Sequence, residues 1–303
     1  EIAQCLVGSE MCIRDRNEYG DYTQKYFVLR DAICAGRGIM PPELPPRPQT
    51  QKIGKVFLTE SASFLENIRK NAQKHHDHIP HYMEYYGQNY GMILYHTEIE
   101  GDYPDTQIAA DGVHDIAYVY VNGKLIGRYD RSQPLTKKQA KAGMEAPESF
   151  SFPIPAFKGK ITVDILVEAM GRINFAKRIH DRKGLSHVRI GEQYTFGFDI
   201  YTIPLDTYKN LQFTKALNAK CPVYLRGTFR ADSRADCFVD IRNFKKGYVF
   251  VNGKNLGRYW EVGPQRRLYL PGVWLKEENE IVIFEQEGFN KPKIEITDRP
   301  LFK

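Results

Sequence analysis

A chain of 303 residues is long enough for two domains, and its hydrophobic fraction of 42% is ample for two ordinary cores. No segment approaches the roughly 20 apolar residues of a membrane span, and no signal peptide is visible. The formal net charge of +6 is spread along the chain without the basic stripe a nucleic-acid binder needs, and the five cysteines form no C-x-x-C pair, which excludes a zinc knuckle or a disulfide framework.

Residues 1–16 read unlike the rest of the chain. They lack a starting Met, hold Cys5 and Cys12, and are expected to be a sequence artefact. Thr23 to Ile33 reads as a helix. Thr23 is a plausible N-cap, Tyr26, Leu29, Arg30 and Ile33 fall at helical spacing, and Phe27 widens the apolar face. That helix has no neighbour in the local sequence to pack on. Residues 40–54, with the Pro-rich run Met40 to Pro48, read as an extended, semi-rigid linker.

Residues 55–86 form a connecting segment. Lys55 to Leu58 reads as a strand and the stretch around Phe64 and Leu65 as amphipathic. His75, His76, His78 and His81 with Asp77 are dense enough for a transition metal. Pro80 and the polar surroundings favour an exposed loop instead, so no metal is expected there.

A first β-domain is expected over 87–203, opening with the buried strand Met92 to Tyr95, then a connector over 204–220, then a second β-domain over 221–303. The reason is a phrase that occurs twice. Tyr118 to Tyr129 reads YVYVNGKLIGRY and Tyr248 to Tyr259 reads YVFVNGKNLGRY, with nine of twelve positions identical. Each copy is a β-branched and aromatic strand, an Asn-Gly turn and a return strand. Asn-Gly tolerates the two positive φ angles of a type I′ hairpin turn. Gly127 and Gly257 mark a bulge or a close backbone approach. Asn-Gly-Lys could contact a sugar, but turn chemistry alone explains every residue in it.

A second echo lies downstream of each hairpin. Ile161 to Gly171 and Glu280 to Gly288 are apolar strands, each with a Glu three residues before a Gly, namely Glu168 and Glu285. Short strands separated by Gly and Pro predict an all-β fold of antiparallel sandwiches. At about 80 residues the second domain is short for two sheets, so a strand from the region around Val56 is expected to complete it. Cys221 and Cys237 could pair within it. There is no alternating strand–helix pattern, G-x-S-x-G elbow, phosphate loop or H-E-x-x-H helix, and no cofactor is implied.

QNYGMILYHTEI (Gln88 to Ile99), VNGKLIGRYDR (Val121 to Arg131), VEAMGRINFA (Val167 to Ala176) and GYVFVNGKNLGRYWEVGPQRRLYLP (Gly247 to Pro271) together resemble the C-terminal half of β-galactosidases of glycoside hydrolase family 35. The resemblance runs in order from about Asn17 to the end. It implies two galactose-binding-like jelly-roll domains preceded by a (β/α)₈ barrel, of which residues 17–39 hold the last helix and its lead-in. The missing barrel would be the chain's partner, and β-galactosides or galactan its possible ligands. The full enzyme would be a retaining exo-glycosidase, secreted, periplasmic or lysosomal by family habit, with its paired glutamates on the barrel.

Asn17-Glu18-Tyr19-Gly20 spells the motif in which the family's acid/base glutamate sits, but here a helix, a linker and the sandwiches come after it. No position matches the nucleophile motif, so no catalytic residue is carried over and the chain by itself is expected to be inactive. The weak candidates for sugar contact are Arg258, Tyr259 and Trp260 beside the second hairpin, with a core-edge role the favoured reading of Trp260.

Overall fold

The computed structural model describes residues 15–133, 141, 147–173, 179–205, 208, 210–217 and 220–301. It divides into two compact units, Leu65–Leu211 and Glu1–Phe64 with Gln212–Lys303. Most of residues 1–16 lie outside the described range. At the start of the described range the Thr23 amide donates to the Asp15 carbonyl at 2.9 Å and the Arg16 guanidinium lies 4.7 Å from the Tyr22 ring.

Helix α1 spans Gln24–Arg37. Thr23 is its N-cap residue by backbone conformation, but its hydroxyl donates to the Asp15 carbonyl instead of capping the helix. Gly38 ends the helix in the left-handed conformation that a Cβ disfavours. Val28, Leu29 and Ile33 stand exposed, and Cys34 is the buried residue of the helix.

Strands β1 (Gly54–Phe57) and β2 (Glu60–Ser63) come next, then helix α2 (Phe64–Asn71). Among its described residues the unit 65–211 holds ten strands. These are β3 (Gln73–Asp77), β4 (Met92–Tyr103), β5 (Thr106–Asp111), β6 (Ile116–Val121), β7 (Lys124–Asp130), β8 (Ser149–Ile154), β9 (Phe157–Glu168), β10 (His187–Ile190), β11 (Gln193–Tyr194) and β12 (Phe198–Ile203). They form a six-stranded sheet, β3-β12-β4-β9-β6-β7, and a four-stranded sheet, β11-β10-β5-β8. Alternate residues of each strand turn inward. Ile93 and Tyr95, Val163, Ile165 and Val167, and Ala117 and Val119 of the larger sheet share one core with Ile108, Phe150 and Val188 of the smaller.

The other unit adds β13 (Val223–Arg230), β14 (Cys237–Asp240), β15 (Lys246–Val251), β16 (Lys254–Trp260), β17 (Arg267–Leu270), β18 (Glu278–Glu285) and β19 (Lys293–Thr297). Its sheets run β16-β15-β18-β13-β2 and β1-β19-β14-β17. Strands β1 and β2 thus supply one edge strand to each sheet. Val56, Leu225, Val249, Ile283, Val239 and Ile296 are among the residues of its core. Each fully buried aliphatic side chain of this kind contributes about 1.5–3 kcal/mol. The fold is all-β, with two jelly-roll sandwiches.

Segment 55–86 is therefore no simple connector. Its first two strands complete one sandwich, while β3 pairs with β12 in the other, so that sandwich begins well before residue 87. The expected histidine loop is an edge strand in its first part, where His75 and His76 pair in register with Ile200 and Asp199, while His78 and His81 lie beyond the strand as expected. An edge strand needs no continuous apolar face, and its polar side chains discourage pairing with other chains.

Both repeated hairpins turn as expected, with φ of 49° and 74° at Asn122 and Gly123 and 51° and 79° at Asn252 and Gly253. Both carry a bulge at the same place, between Val119 and Tyr120 and between Val249 and Phe250. Each turn is also tied to the neighbouring strand. Asn122 Oδ1 accepts from the Thr162 amide at 2.9 Å, and Asn252 Oδ1 from the Glu280 amide at 3.1 Å.

Candidate functional site

Strand β16 carries the three residues proposed for sugar contact, and its alternation separates them. Tyr259 is only 2% exposed and points into the core. A tyrosine in a strand's inward register must find a polar partner for its hydroxyl. It donates to Glu285 Oε2 at 2.9 Å and lies 3.0 Å from the Phe284 carbonyl. Arg258 and Trp260 are half-buried on the opposite face of the strand. Arg258 donates from Nε and Nη2 to the Tyr248 hydroxyl at 2.9 and 2.7 Å. The Trp260 ring lies 5.6 Å from Nζ of the buried Lys246, which also donates to Gln286 Oε1 at 2.9 Å.

Glu285 organises this end of the sandwich. It is fully buried and accepts from the amides of Lys245, Lys246, Glu287 and Gly288. The sequence echo pairs it with Glu168, but the register does not. Gly247 faces Glu285, whereas its counterpart in the first hairpin, Ala117, faces Val167. The structural equivalent of Glu168 is Gln286, one residue later.

The unit 65–211 contains a buried charged network that the sequence did not reveal. Lys183 donates to Asp115 at 2.7 Å and to Asp181 at 2.5 Å. Arg131 reaches Asp181, Asp115 and Glu148 at 2.6, 3.1 and 3.0 Å. His114 adds Nε2, 3.1 Å from Glu148, and the Tyr82 ring lies over it at 6.0 Å. Burial alone would raise the Asp181 pKa, but the hydrogen bonds from Lys183 and Arg131 outweigh it and hold the carboxyl below its ordinary value. Beside the network lies a cavity of about 320 Å³ lined by His81, Tyr82, Glu84, Tyr85 and Arg182. A polar groove of about 650 Å³ runs over the outer face of β5, β8 and β10, with Gln107, Ser149, Ser151 and Arg189 in its lining.

A second buried carboxylate, Asp164 on β9, faces His96 on β4 in direct register. Burial pushes its pKa up, but hydrogen bonds from His96 at 2.8 Å and from Arg69 at 2.6 and 2.7 Å hold it below the usual range. A depressed folded-state pKa contributes stability above the unfolded value, about pH 4, that is lost as the pH falls through the folded value. Asp164→Asn is therefore expected to cost about 1–3 kcal/mol near neutrality. The gap to the unmodified chain should close below about pH 4 in urea titrations, and a gap that stays constant with pH would contradict this assignment.

The remaining sequence candidates are dispersed. His76 Nδ1 meets Asp199 at 2.9 Å, His78 stacks on Phe196 and His81 on Tyr85. Among the described residues no group of His, Cys, Asp or Glu is arranged to hold a metal. Glu18 Oε2 accepts from Gln265 at 3.4 Å, and the neighbouring Tyr19 ring meets Phe238 edge-on. Cys221 and Cys237 are free thiols, and burial pushes both up to about 12.

Two antiparallel jelly-roll sandwiches with polar grooves define a class, all-β domains of jelly-roll type. Comparison with known proteins narrows it. Residues 80–205 match the first all-beta domain of β-galactosidase, and residues 222–280 match the galactose-binding domain of β-galactosidase. A β-galactosidase of Xanthomonas manihotis is 35% identical over 84% of this chain and 40% of its own length. The β-galactosidase-1-like protein 3 of Mus musculus is 33% identical over 90% of this chain and 42% of its own length. The human β-galactosidase-1-like protein 2 is 33% identical over 93% and 44%. The chain carries the ancillary β-domains of the β-galactosidase family, and it spans less than half the length of these relatives.

Proposed function

We propose that these sandwiches serve structurally within a β-galactosidase of glycoside hydrolase family 35. They would stabilise a (β/α)₈ barrel and shape the approach to its site, while the chain alone hydrolyses nothing. The full enzyme would release terminal β-linked galactose by a retaining, two-glutamate displacement, in which the carboxyls lie about 5–5.5 Å apart. The observation that carries the reading is how the repeat's polar and aromatic residues are used. Tyr259 is spent on Glu285, Arg258 on Tyr248, and each turn Asn on a neighbouring strand. The exposed Val28, Leu29 and Ile33 of α1 give a barrel an apolar face to pack on.

The test has two parts. The full chain should release no detectable product from an aryl β-galactoside, and hydrolysis that disappears in Glu18→Gln would overturn the reading. Trp260→Ala should lower stability by about 1–2 kcal/mol through lost packing and the lost contact with Lys246, read by urea denaturation, with no heat on titrating galactose or lactose into the unmodified chain. A second reading, a binding module for galactosides, has one observation in its favour: Trp260 is only half-buried. Saturable heat with galactose or lactose that Trp260→Ala abolishes would support that reading over the first.

A further inference from the structure

The outer face of sheet β1-β19-β14-β17 is covered at one end and open at the other. At the covered end Tyr19 meets Phe238, which is fully buried. The open end forms a groove of about 460 Å³ lined by Lys55, Asp240, Arg242, Asn243, Asn290, Lys291, Lys293, Ile294 and Glu295. Strand register explains why so many charges meet there. Lys55 on β1 lies opposite Glu295 on β19, which lies opposite Asp240 on β14, so the three form one row across the outward face. Two residues along β1 and β19, Phe57 and Lys293 form the next row, and Phe57 is 61% exposed.

The charges in this groove cancel only in part, through the pair of Asp240 with Arg242. Asp240 is engaged by Arg242 at 2.7 Å and by Arg267 at 3.0 Å. Glu295 is engaged by Lys52, from outside the groove, at 3.6 Å. Both carboxylates are thus partly neutralised by other groups, and among the described residues Lys55, Lys291 and Lys293 make no ion pair. Three ammonium groups and two Asn side chains therefore converge on a space that fits one or two sugar rings. Glu295 and the amide oxygens accept hydrogen bonds from hydroxyls, while the lysines want an anion.

We propose that this groove binds an acidic saccharide, a galactan-like chain bearing sulfate or carboxylate groups, with Lys55 and Lys293 pairing the acid group and Phe57 packing against the ring beside it. A phosphodiester chain fits less well. It offers few hydroxyl donors for Glu295 and the Asn amide oxygens, and a groove this short cannot track a backbone. The choice of a saccharide rests on the β-galactosidase reading of these domains, while the choice of an acidic one rests on the lysines.

The test is affinity electrophoresis of the full chain through gels containing a sulfated galactan, polygalacturonate or neutral galactan. Retardation by one or both acidic polymers, with none by neutral galactan, is expected, and the acidic polymer that works identifies the acid group. Lys55→Gln/Lys293→Gln should weaken it at least tenfold, about the loss of two charge-assisted contacts. Salt of about 0.5 M should have a similar effect on the unmodified chain. Equal retardation by neutral galactan, unchanged retardation of the double variant, or equal retardation by a single-stranded oligonucleotide would each overturn the proposal. Both lysines lie at the surface, so the variant should melt with the unmodified chain; if it does not, Lys55→Gln alone, at an exposed position, should still weaken retardation and provides the comparison. Failure here would leave the structural reading intact, because that reading is tested by hydrolysis and by Trp260.

Discussion

Lys183→Ala is expected to destabilise the sandwich formed by residues 65–211 by about 3–5 kcal/mol, the cost of breaking a buried ion pair from one side. The Lys183 side chain is 1% exposed, and its ammonium group is shared between Asp115 and Asp181. Without it, two buried carboxylates compete for Arg131, which already serves Glu148 as well. Asp115 cannot turn away, because its Oδ2 also accepts from the Met170 amide at 2.8 Å. The penalty should shrink in acid as the stranded carboxylates take up protons. Urea titration at about pH 7 and about pH 4 measures both values. A loss under about 1 kcal/mol at neutral pH would mean that Lys183 does not hold the network together.

Glu285→Ala should cost the other sandwich about 3 kcal/mol or more, since the Lys246, Glu287 and Gly288 amides lose their acceptor and each buried donor so left costs about 1–3 kcal/mol. Four backbone amides and the Tyr259 hydroxyl converge on this one carboxylate. Gly247, which pairs with Glu285, leaves room for the Phe284 carbonyl and for the Tyr259 hydroxyl that bonds the carboxylate. A Cβ on Gly247 would lie 1.8 Å from the Phe284 carbonyl oxygen and 2.8 Å from the Tyr259 hydroxyl. In the first copy Val167 stands at this position opposite Ala117, and the Tyr129 hydroxyl donates instead to the Pro147 carbonyl. Glu285→Gln, which keeps the shape and one acceptor oxygen, should lose less than half as much. Equal losses for the two variants in urea titration would mean that the site recognises side-chain volume and not its acceptors.

The candidate site was legible only in part. Arg258, Tyr259 and Trp260 were found because they sit in a repeated phrase, but the phrase does not say which face of β16 each occupies. The bulge beside Leu256 and Gly257 sets that, and it puts Tyr259 in the core. The network around Lys183 left no sequence signal. Asp115, Arg131, Glu148 and Asp181 lie far apart along the chain, and none makes a spaced motif with another. The acidic echo misled for a related reason. Glu168 and Glu285 match by distance from a glycine, whereas sheet register is set by pairing across strands, and a slip of one residue turns a side chain to the opposite face.

By itself the sequence determined whatever depends on a few neighbouring residues. Asn-Gly carries its positive φ angles in any context, so both hairpins were readable, as were helix α1 and the all-β class. Tertiary structure decided what depends on partners distant in sequence. Strands β1 and β2 complete a sandwich whose other strands begin at Val223, and the polar segment Gln73–Asp77 becomes a strand because β12 offers it an edge. Backbone hydrogen bonds to a distant strand confer that order, and no local propensity records them.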